Sequence, residues 1–198
     1  MKRRQVGNLL GLAVLSYLSR APMHPYELSK TLRNHGDARS IKFNHGSLYM
    51  VVQQLAKAGF VAEQEVEREG ARPERTVYQI TDAGRAELRD WLRELVGEPQ
   101  HEYPAFVSAL SMIAALSPNE VVPLLGNRLD GLAAQRAEAS REIEQAERQG
   151  VPPLFLIEEV YRLSLIDAEV AYVRDLLARI DEWGPMWAEA HGEEYKPE

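Results

Sequence analysis

The side chains best suited to polar recognition lie close together between residues 42 and 57. The apolar residues of this segment recur at helical spacing and predict a helix that buries Leu48, Val51, Val52 and Leu55. Its opposite face would carry Ser47, Tyr49, Met50, Gln53, Gln54 and Lys57. That face has hydrogen-bond donors, acceptors and a cation but no acid, whereas an ordinary exposed helix face mixes charges of both signs. Such chemistry suits base edges and phosphates, which an acid would repel.

Six residues of this segment are candidate nucleic-acid contacts: Lys42, Asn44, His45, Ser47, Tyr49 and Gln53. Two of them have a purely structural alternative. Asn44 is a typical N-cap for the helix that follows it, and Tyr49 would serve the fold if it leaned on the core. The pattern alone leaves both roles open for these two residues.

Catalytic and metal-binding chemistry finds little support. The chain has no glycine-rich phosphate loop, no HExxH and no G-x-S-x-G, and it has no cysteine. Its five histidines lack the i,i+3 or i,i+4 spacing of a helical metal site. We therefore expect no catalytic residue, no metal, no cofactor and no enzymatic activity. The lack of cysteine also suits a reducing cytoplasm, which is the expected location.

Charge is distributed unevenly along the chain. The formal net charge is −7, yet residues 1–60 carry nine lysines and arginines against two acids, or +7, which leaves −14 for the remainder. A basic N-terminal part attracts a polyanion, whereas an acidic C-terminal part repels one. Chance clustering on a solvated face is the alternative. The charge asymmetry therefore predicts a basic N-terminal region that binds a polyanion and an acidic C-terminal region with another function.

Periodicity and turn residues predict a compact series of elements in the N-terminal part. Three helices are expected at about 5–19, 25–34 and 44–58. Residues 61–81 contain two short extended runs around the turn-rich REGARPE and predict a β-hairpin. Thr81 then caps a fourth helix that reaches about Val96. This order is that of a winged helix, whose third helix enters the major groove while the hairpin lies against the neighbouring backbone.

The C-terminal part is predicted to be wholly helical after a linker at 97–104. Helices are expected at about 105–116, 118–148 and 154–180, the second starting at the capping box Ser117-Pro118-Asn119-Glu120. Apolar residues of the second helix follow a three-four spacing that Arg136 interrupts, which is a heptad pattern typical of helix–helix packing. The third helix is apolar over so much of its circumference that it needs partners on more than one side.

Three stretches resemble the PadR-type transcriptional regulators in order and spacing: "LLGLAVLSYLSRAPMHPYELSKTL", "GSLYMVVQQLAKAGFV" and "RPERTVYQITDAGRAELRDWL". The later stretch "FVSALSMIAALSPNEVVPLLGNRLDGLAAQ" is similar to the longer α-helical dimerisation domain of one branch of that family. One departure is Pro25, which stands where the family commonly has a glycine.

The resemblance implies a homodimer that binds a partly palindromic operator, usually represses a neighbouring gene and is released by a small molecule. It implies that Ser47 and Tyr49 lie near phosphates or bases, and that Arg72 and Arg75 of the hairpin lie near the DNA backbone. Pairing of Arg75 with Glu63 or Glu65 across the hairpin is the alternative. Candidate dimer contacts come from the two long C-terminal helices: Val122, Leu125, Leu129, Leu132, Ile143, Ile157 and Tyr161.

The sequence thus predicts a mainly α fold with a small β-hairpin. A winged helix-turn-helix DNA-binding domain is expected at 1–97, an α-helical dimerisation domain at 98–183 and a flexible acidic tail at 184–198. The expected function is a sequence-specific, ligand-responsive transcriptional repressor. Its partners would be double-stranded operator DNA, a second copy of itself and a small-molecule effector, with no membrane span. Two other classes stay open: a dimeric helical interaction module without DNA binding, and a ligand-handling enzyme with convergent polar groups in a pocket.

Overall fold

The computed structural model of the protein describes residues 4–36, 39–64 and 76–196. Contacts within the chain divide it into two compact units, Met1–Glu102 and Tyr103–Glu198. Three helices, a two-stranded hairpin and a fourth helix precede a C-terminal part whose described elements are all helical. The predicted fold class is therefore confirmed, while the domain boundary expected after residue 97 stays a prediction.

The N-terminal unit contains α1 (Leu9–Leu18), α2 (Pro25–Asn34), α3 (His45–Lys57), β1 (Val61–Gln64), β2 (Val77–Ile80) and α4 (Asp82–Gly97). Polar caps decide where the helices begin. The Asn8 side chain accepts a hydrogen bond from the Leu10 amide at 2.9 Å, so α1 begins at Leu9 and not near Gln5 as the periodicity predicted. Pro25 occupies the first turn of α2, where its missing amide hydrogen costs nothing.

One apolar core joins α1, α2, α3 and the hairpin. The leucines at its centre are fully buried: Leu10, Leu28, Leu32, Leu48 and Leu55. The strands β1 and β2 pair antiparallel with Val61 opposite Ile80. Met23, which lies between α1 and α2, bonds the backbone of Tyr78 through both its N–H and its carbonyl at 3.0 Å. This bridge holds the start of α2 beside the hairpin.

Arg4 attaches the N-terminal segment to α4. Its side chain is only 1% exposed and contacts the carboxylates of Glu87 at 2.7 Å, Asp90 at 3.2 Å and Glu94 at 2.5 Å. The guanidinium carbon also lies 5.2 Å from the ring centroid of the fully buried Trp91. Burial by itself lowers the pKa of the guanidinium, but the hydrogen bonds to Glu87 and Glu94 outweigh it, so the net pKa is raised and Arg4 stays charged.

The C-terminal unit contains α5 (Ala105–Ser111), α6 (Pro118–Arg148) and α7 (Ile157–Ala190), with single 3-10 turns at Ile113–Ala115 and Pro153–Phe155. The predicted capping box starts α6, because the Glu120 carboxylate accepts a hydrogen bond from the Ser117 amide at 3.0 Å. The helices α6 and α7 pack together around Val121, Leu125, Val173 and Ile180.

The structure corrects the predicted C-terminal boundary. The acidic tail expected from Gly184 onward is helical as far as Ala190, because α7 continues through Gly184 and Pro185. A side chain at Gly184 would lie 2.6 Å from the ring of Tyr195, so the glycine leaves the space that this ring fills. The Tyr195 hydroxyl then donates to Asp181 at 2.8 Å. Among the residues that the structure describes, no helix is long and apolar enough to cross a membrane.

Candidate nucleic-acid interface

The helix α3 has one buried and one exposed face, as its sequence predicts. The four apolar residues of the buried face are at most 3% exposed: Leu48, Val51, Val52 and Leu55. The exposed face carries Met50, Gln53, Gln54 and Lys57. The sequence has no acid between Asp37 and Glu63, so nothing on α3 repels a phosphate. Gln53 therefore lies on an exposed face whose chemistry suits DNA.

The start of α3 is fixed by two of the predicted contacts. The Asn44 side chain accepts from the Ser47 amide at 2.9 Å, while the Ser47 hydroxyl accepts from the Asn44 amide and donates to the Asn44 carbonyl, each at 2.9 Å. The capping alternative for Asn44 is therefore confirmed. Because the Ser47 proton is already committed to the Asn44 carbonyl, this hydroxyl has accepting capacity left but no second proton to donate.

Two histidines and two tyrosines lie together beside this helix start. The ring centroids are 5.0 Å apart for His45 and Tyr49, 6.3 Å for Tyr26 and His45, and 6.4 Å for His24 and Tyr49. Tyr49 is half-buried among these rings, whereas Tyr26 is 59% exposed. The sequence did not predict Tyr26 as part of this surface.

Only the base of the hairpin lies within the described residues. Arg72 and Arg75, the predicted backbone contacts, lie outside the described residues. At the base of the hairpin the Tyr78 hydroxyl donates to the Glu63 carboxylate at 3.3 Å. Burial, reinforced by the charge of Glu63, raises the pKa of Tyr78 and keeps this hydroxyl protonated. Lys42, by contrast, is exposed just before the cap of α3.

The predicted dimer contacts separate into two groups. Leu125 and Leu132 are 4% and 6% exposed, and Val122 and Leu129 are packed against the core between α6 and α7. Much of the heptad pattern is thus satisfied within one chain, and Ile143 is half-buried. Ile157 and Tyr161 at the start of α7 are 63% and 65% exposed, which leaves them available to another molecule.

Metal chemistry gains no site from the fold. Among the described residues, no group of three or more His, Asp or Glu side chains is arranged to hold a metal ion.

Residues 14–90 match the "Transcriptional regulator PadR-like family". The chain carries a PadR-like domain. A curated relative is the negative transcriptional regulator PadR of Bacillus subtilis (strain 168), which is 24% identical over 148 residues, or 74% of this chain and 80% of that protein.

Two solved structures extend the likeness beyond the PadR-like domain. Bacillus subtilis PadR in complex with operator DNA has a TM-score of 0.72 at 21% identity and covers 87% of this chain and 99% of that chain. The same regulator in complex with p-coumaric acid has a TM-score of 0.69 at 20% identity and covers 91% of this chain and 99% of that chain. The fold is thus a PadR winged helix with a C-terminal helical region. The relatives that the chain resembles are transcriptional regulators and not enzymes.

Proposed function

We propose that the protein is a homodimeric, sequence-specific repressor that binds a partly palindromic operator and leaves it when a small-molecule effector binds. DNA binding is assigned to residues 1–97 and dimerisation to the helical region that follows. The observation that carries the proposal is the exposed, acid-free face of α3, which the core holds outward through four buried residues.

Each feature of this face has a counterpart in a DNA groove. Gln53 offers an amide donor and acceptor of the kind that pairs with adenine. Lys42 and Lys57 stand before and at the end of α3, where they can neutralise phosphates. His45 and Tyr49 add ring edges and polar atoms at the start of the helix. We assign Asn44 and Ser47 first to fixing this helix start, with contacts to DNA through their remaining acceptor capacity.

Dimerisation is supported by an apolar stripe along α7. Ile157, Tyr161, Leu165 and Tyr172 recur at helical spacing and are between 49% and 65% exposed. An exposed apolar surface of this kind is a usual mark of a protein–protein interface. A second copy of the chain covers the stripe and places a second α3 on the DNA. Two such helices read half-sites about one helical turn apart, roughly 34 Å, which explains a partly palindromic operator.

Negative regulation and effector release are proposed from the relative. Bacillus subtilis PadR is a negative regulator, and one of its solved structures is a complex with p-coumaric acid. A dimer binds the operator through two recognition helices at a fixed separation. An effector that favours another separation of these helices therefore lowers the affinity for the operator. Phenolic acids are therefore the first effector class to test.

A fluorescence-anisotropy titration tests DNA binding directly. The full-length protein is titrated with the DNA upstream of its own gene at several salt concentrations, and we expect saturable binding that weakens as salt rises. The double variant Arg72→Ala, Arg75→Ala should bind much more weakly, whereas the control Arg93→Ala, on an exposed part of α4, should bind like the parent protein. Unchanged binding by the double variant would remove the hairpin from the interface.

The alternative function, a dimeric interaction module, predicts a different outcome of sedimentation and DNA-binding experiments. A helical interaction module without DNA binding would sediment as a dimer yet retard no promoter fragment. Adding p-coumaric acid to the preformed DNA complex tests effector release, and a titration that does not change would exclude this compound as the effector.

A further inference from the structure

Met50 is an unusual residue for the exposed face of a helix. It is 60% exposed, and within α3, all of which the structure describes, it is the sole large apolar side chain on the exposed face. Its neighbours on that face are amides and a lysine, so it extends no apolar patch on α3. The helix has four other apolar residues that hold it to the core, and Met50 adds nothing to that packing.

The position of Met50 favours contact with base edges. It lies in the first half of α3, and the N-terminal residues of a recognition helix are those that reach the bases. Helical side chains lean toward the N-terminus, so Met50 leans toward the turn that contains Gly46. A side chain added at Gly46 would meet only the Asn44 side-chain oxygen, at 3.4 Å, so the space in front of that turn is open. A base edge can therefore approach α3 closely just beside Met50.

Thymine is the base that presents a methyl group on its major-groove edge, beside the O4 acceptor. Apolar side chains recognise this 5-methyl group, which the other three bases lack. A methionine has three rotatable bonds and a polarizable sulfur, so it can adjust to a methyl group without a fixed geometry. Gln53 follows Met50 by three residues and offers the amide that pairs with adenine.

We propose that Met50 is a specificity-determining residue that recognises the 5-methyl group of a thymine in each operator half-site. This inference rests on the proposed operator binding by α3. It assigns to Met50 a defined atom of the DNA, and it requires a thymine close to the position that Gln53 contacts.

The test removes the methyl groups from the DNA one at a time. The full-length protein first selects a duplex from a pool of random-sequence duplexes, and the selected site is then resynthesised with single deoxyuridines in place of thymidines. Deoxyuridine pairs as thymidine does but lacks the 5-methyl group. We expect a single deoxyuridine to weaken binding of the parent protein about fourfold at one position in each half-site, which corresponds to one buried methyl group, and to leave binding unchanged at every other position.

A Met50 variant tests whether this side chain is the one that senses the methyl group. Met50→Ala should bind the thymidine and deoxyuridine duplexes equally at that position, because the side chain that senses the methyl group is gone. Val96→Ala is the control, since Val96 is an 85% exposed apolar residue of the same unit and its loss should leave the sensitivity intact. Circular dichroism should give both variants the melting temperature of the parent protein.

Two results would overturn the inference while leaving DNA binding in place. One is a parent protein that binds every deoxyuridine duplex as tightly as the thymidine duplex. The other is a Met50→Ala variant that keeps the full sensitivity of the parent. A parent protein that enriches no duplex at all would overturn the proposed function together with this inference.

Discussion

The helix α3 of the N-terminal unit and the helix α7 of the C-terminal unit each bury one face and expose another, but the exposed faces differ in chemistry. On α3 the exposed residues include Met50, two glutamines and a lysine, and none of them is an acid. On α7 they include the apolar stripe that contains Ile157, Tyr161 and Tyr172. A face without acids suits a polyanion, and an apolar stripe suits another protein surface.

The two units also differ in how they use arginine. In the N-terminal unit the Arg4 side chain is 1% exposed beneath three acids of α4. In the C-terminal unit Arg136 pairs with Asp167 at 2.6 Å, yet the two side chains are 50% and 47% exposed. Removing one partner of a buried pair leaves a buried charge without compensation and destabilises the protein strongly, whereas water replaces a lost partner in an exposed pair. Burial, and not the number of ion pairs, therefore decides what each arginine contributes.

The largest effect is expected for Arg4→Met. It removes the guanidinium that contacts Glu87 and Glu94, whose side chains are 18% and 10% exposed. Removing one partner of a buried ion pair costs about 3–5 kcal/mol in the free energy of unfolding. Urea unfolding followed by circular dichroism measures the loss. The control is Arg93→Met, which replaces an exposed arginine of α4. Equal losses of stability in the two variants would contradict a buried role for Arg4.

The apolar stripe on α7 should control oligomeric state. The double variant Ile157→Glu, Tyr161→Glu is expected to sediment as a monomer, because two acids would otherwise be buried against a second copy. Its affinity for the operator should fall about a hundredfold, since a dimer holds the second recognition helix at high effective concentration. Ala178→Glu adds one acid to an exposed position of the same helix and should remain dimeric. A double variant that stays dimeric would place the interface elsewhere.

A smaller effect is expected for Lys57→Gln at the end of α3. Loss of one phosphate contact should reduce the slope of log affinity against log salt by about 0.9 and weaken binding to all sequences alike. Anisotropy titrations over a range of salt concentrations give the slope. Arg93→Gln removes one charge from α4 and should leave the slope unchanged. Equal slopes for Lys57→Gln and the parent protein would place Lys57 away from the phosphates.

The smallest effect is expected for Arg136→Gln. Because both partners of this ion pair are about half exposed, water replaces the lost contact. The urea midpoint should barely move, far less than for Arg4→Met. A shift as large as that of Arg4→Met would show that exposure is a poor guide to the strength of these pairs.

The elements themselves could be predicted because their signals are local. The capping box at Ser117, the cap at Asn44 and the buried stripe of α3 depend on residues a few positions apart, and the structure confirms them. The error at the C-terminal end arose where distant residues intervene. The helix α7 extends to Ala190, and the ring of Tyr195 packs against it at Gly184. The residue spacing within the helix does not predict this contact.

The candidate site divides in the same way. The lack of acids from 38 to 62 is a property of the sequence, and the prediction that α3 is the recognition surface rests on it. The exposure of Tyr26 and the commitment of the Ser47 proton to the Asn44 carbonyl depend on three-dimensional neighbours. Residue spacing alone could predict neither of them.

The sequence by itself determined the order of elements, the charge asymmetry and the buried face of α3, because these follow from local periodicity and residue type. The tertiary structure decided which apolar faces remain free. A heptad pattern is the same whether its partner is another helix of the chain or a second copy, and here α7 covers Leu125 and Leu132 while leaving Ile157 and Tyr161 exposed. Only the packing of α6 on α7 distinguishes the two cases, since burial is a property of the assembled fold.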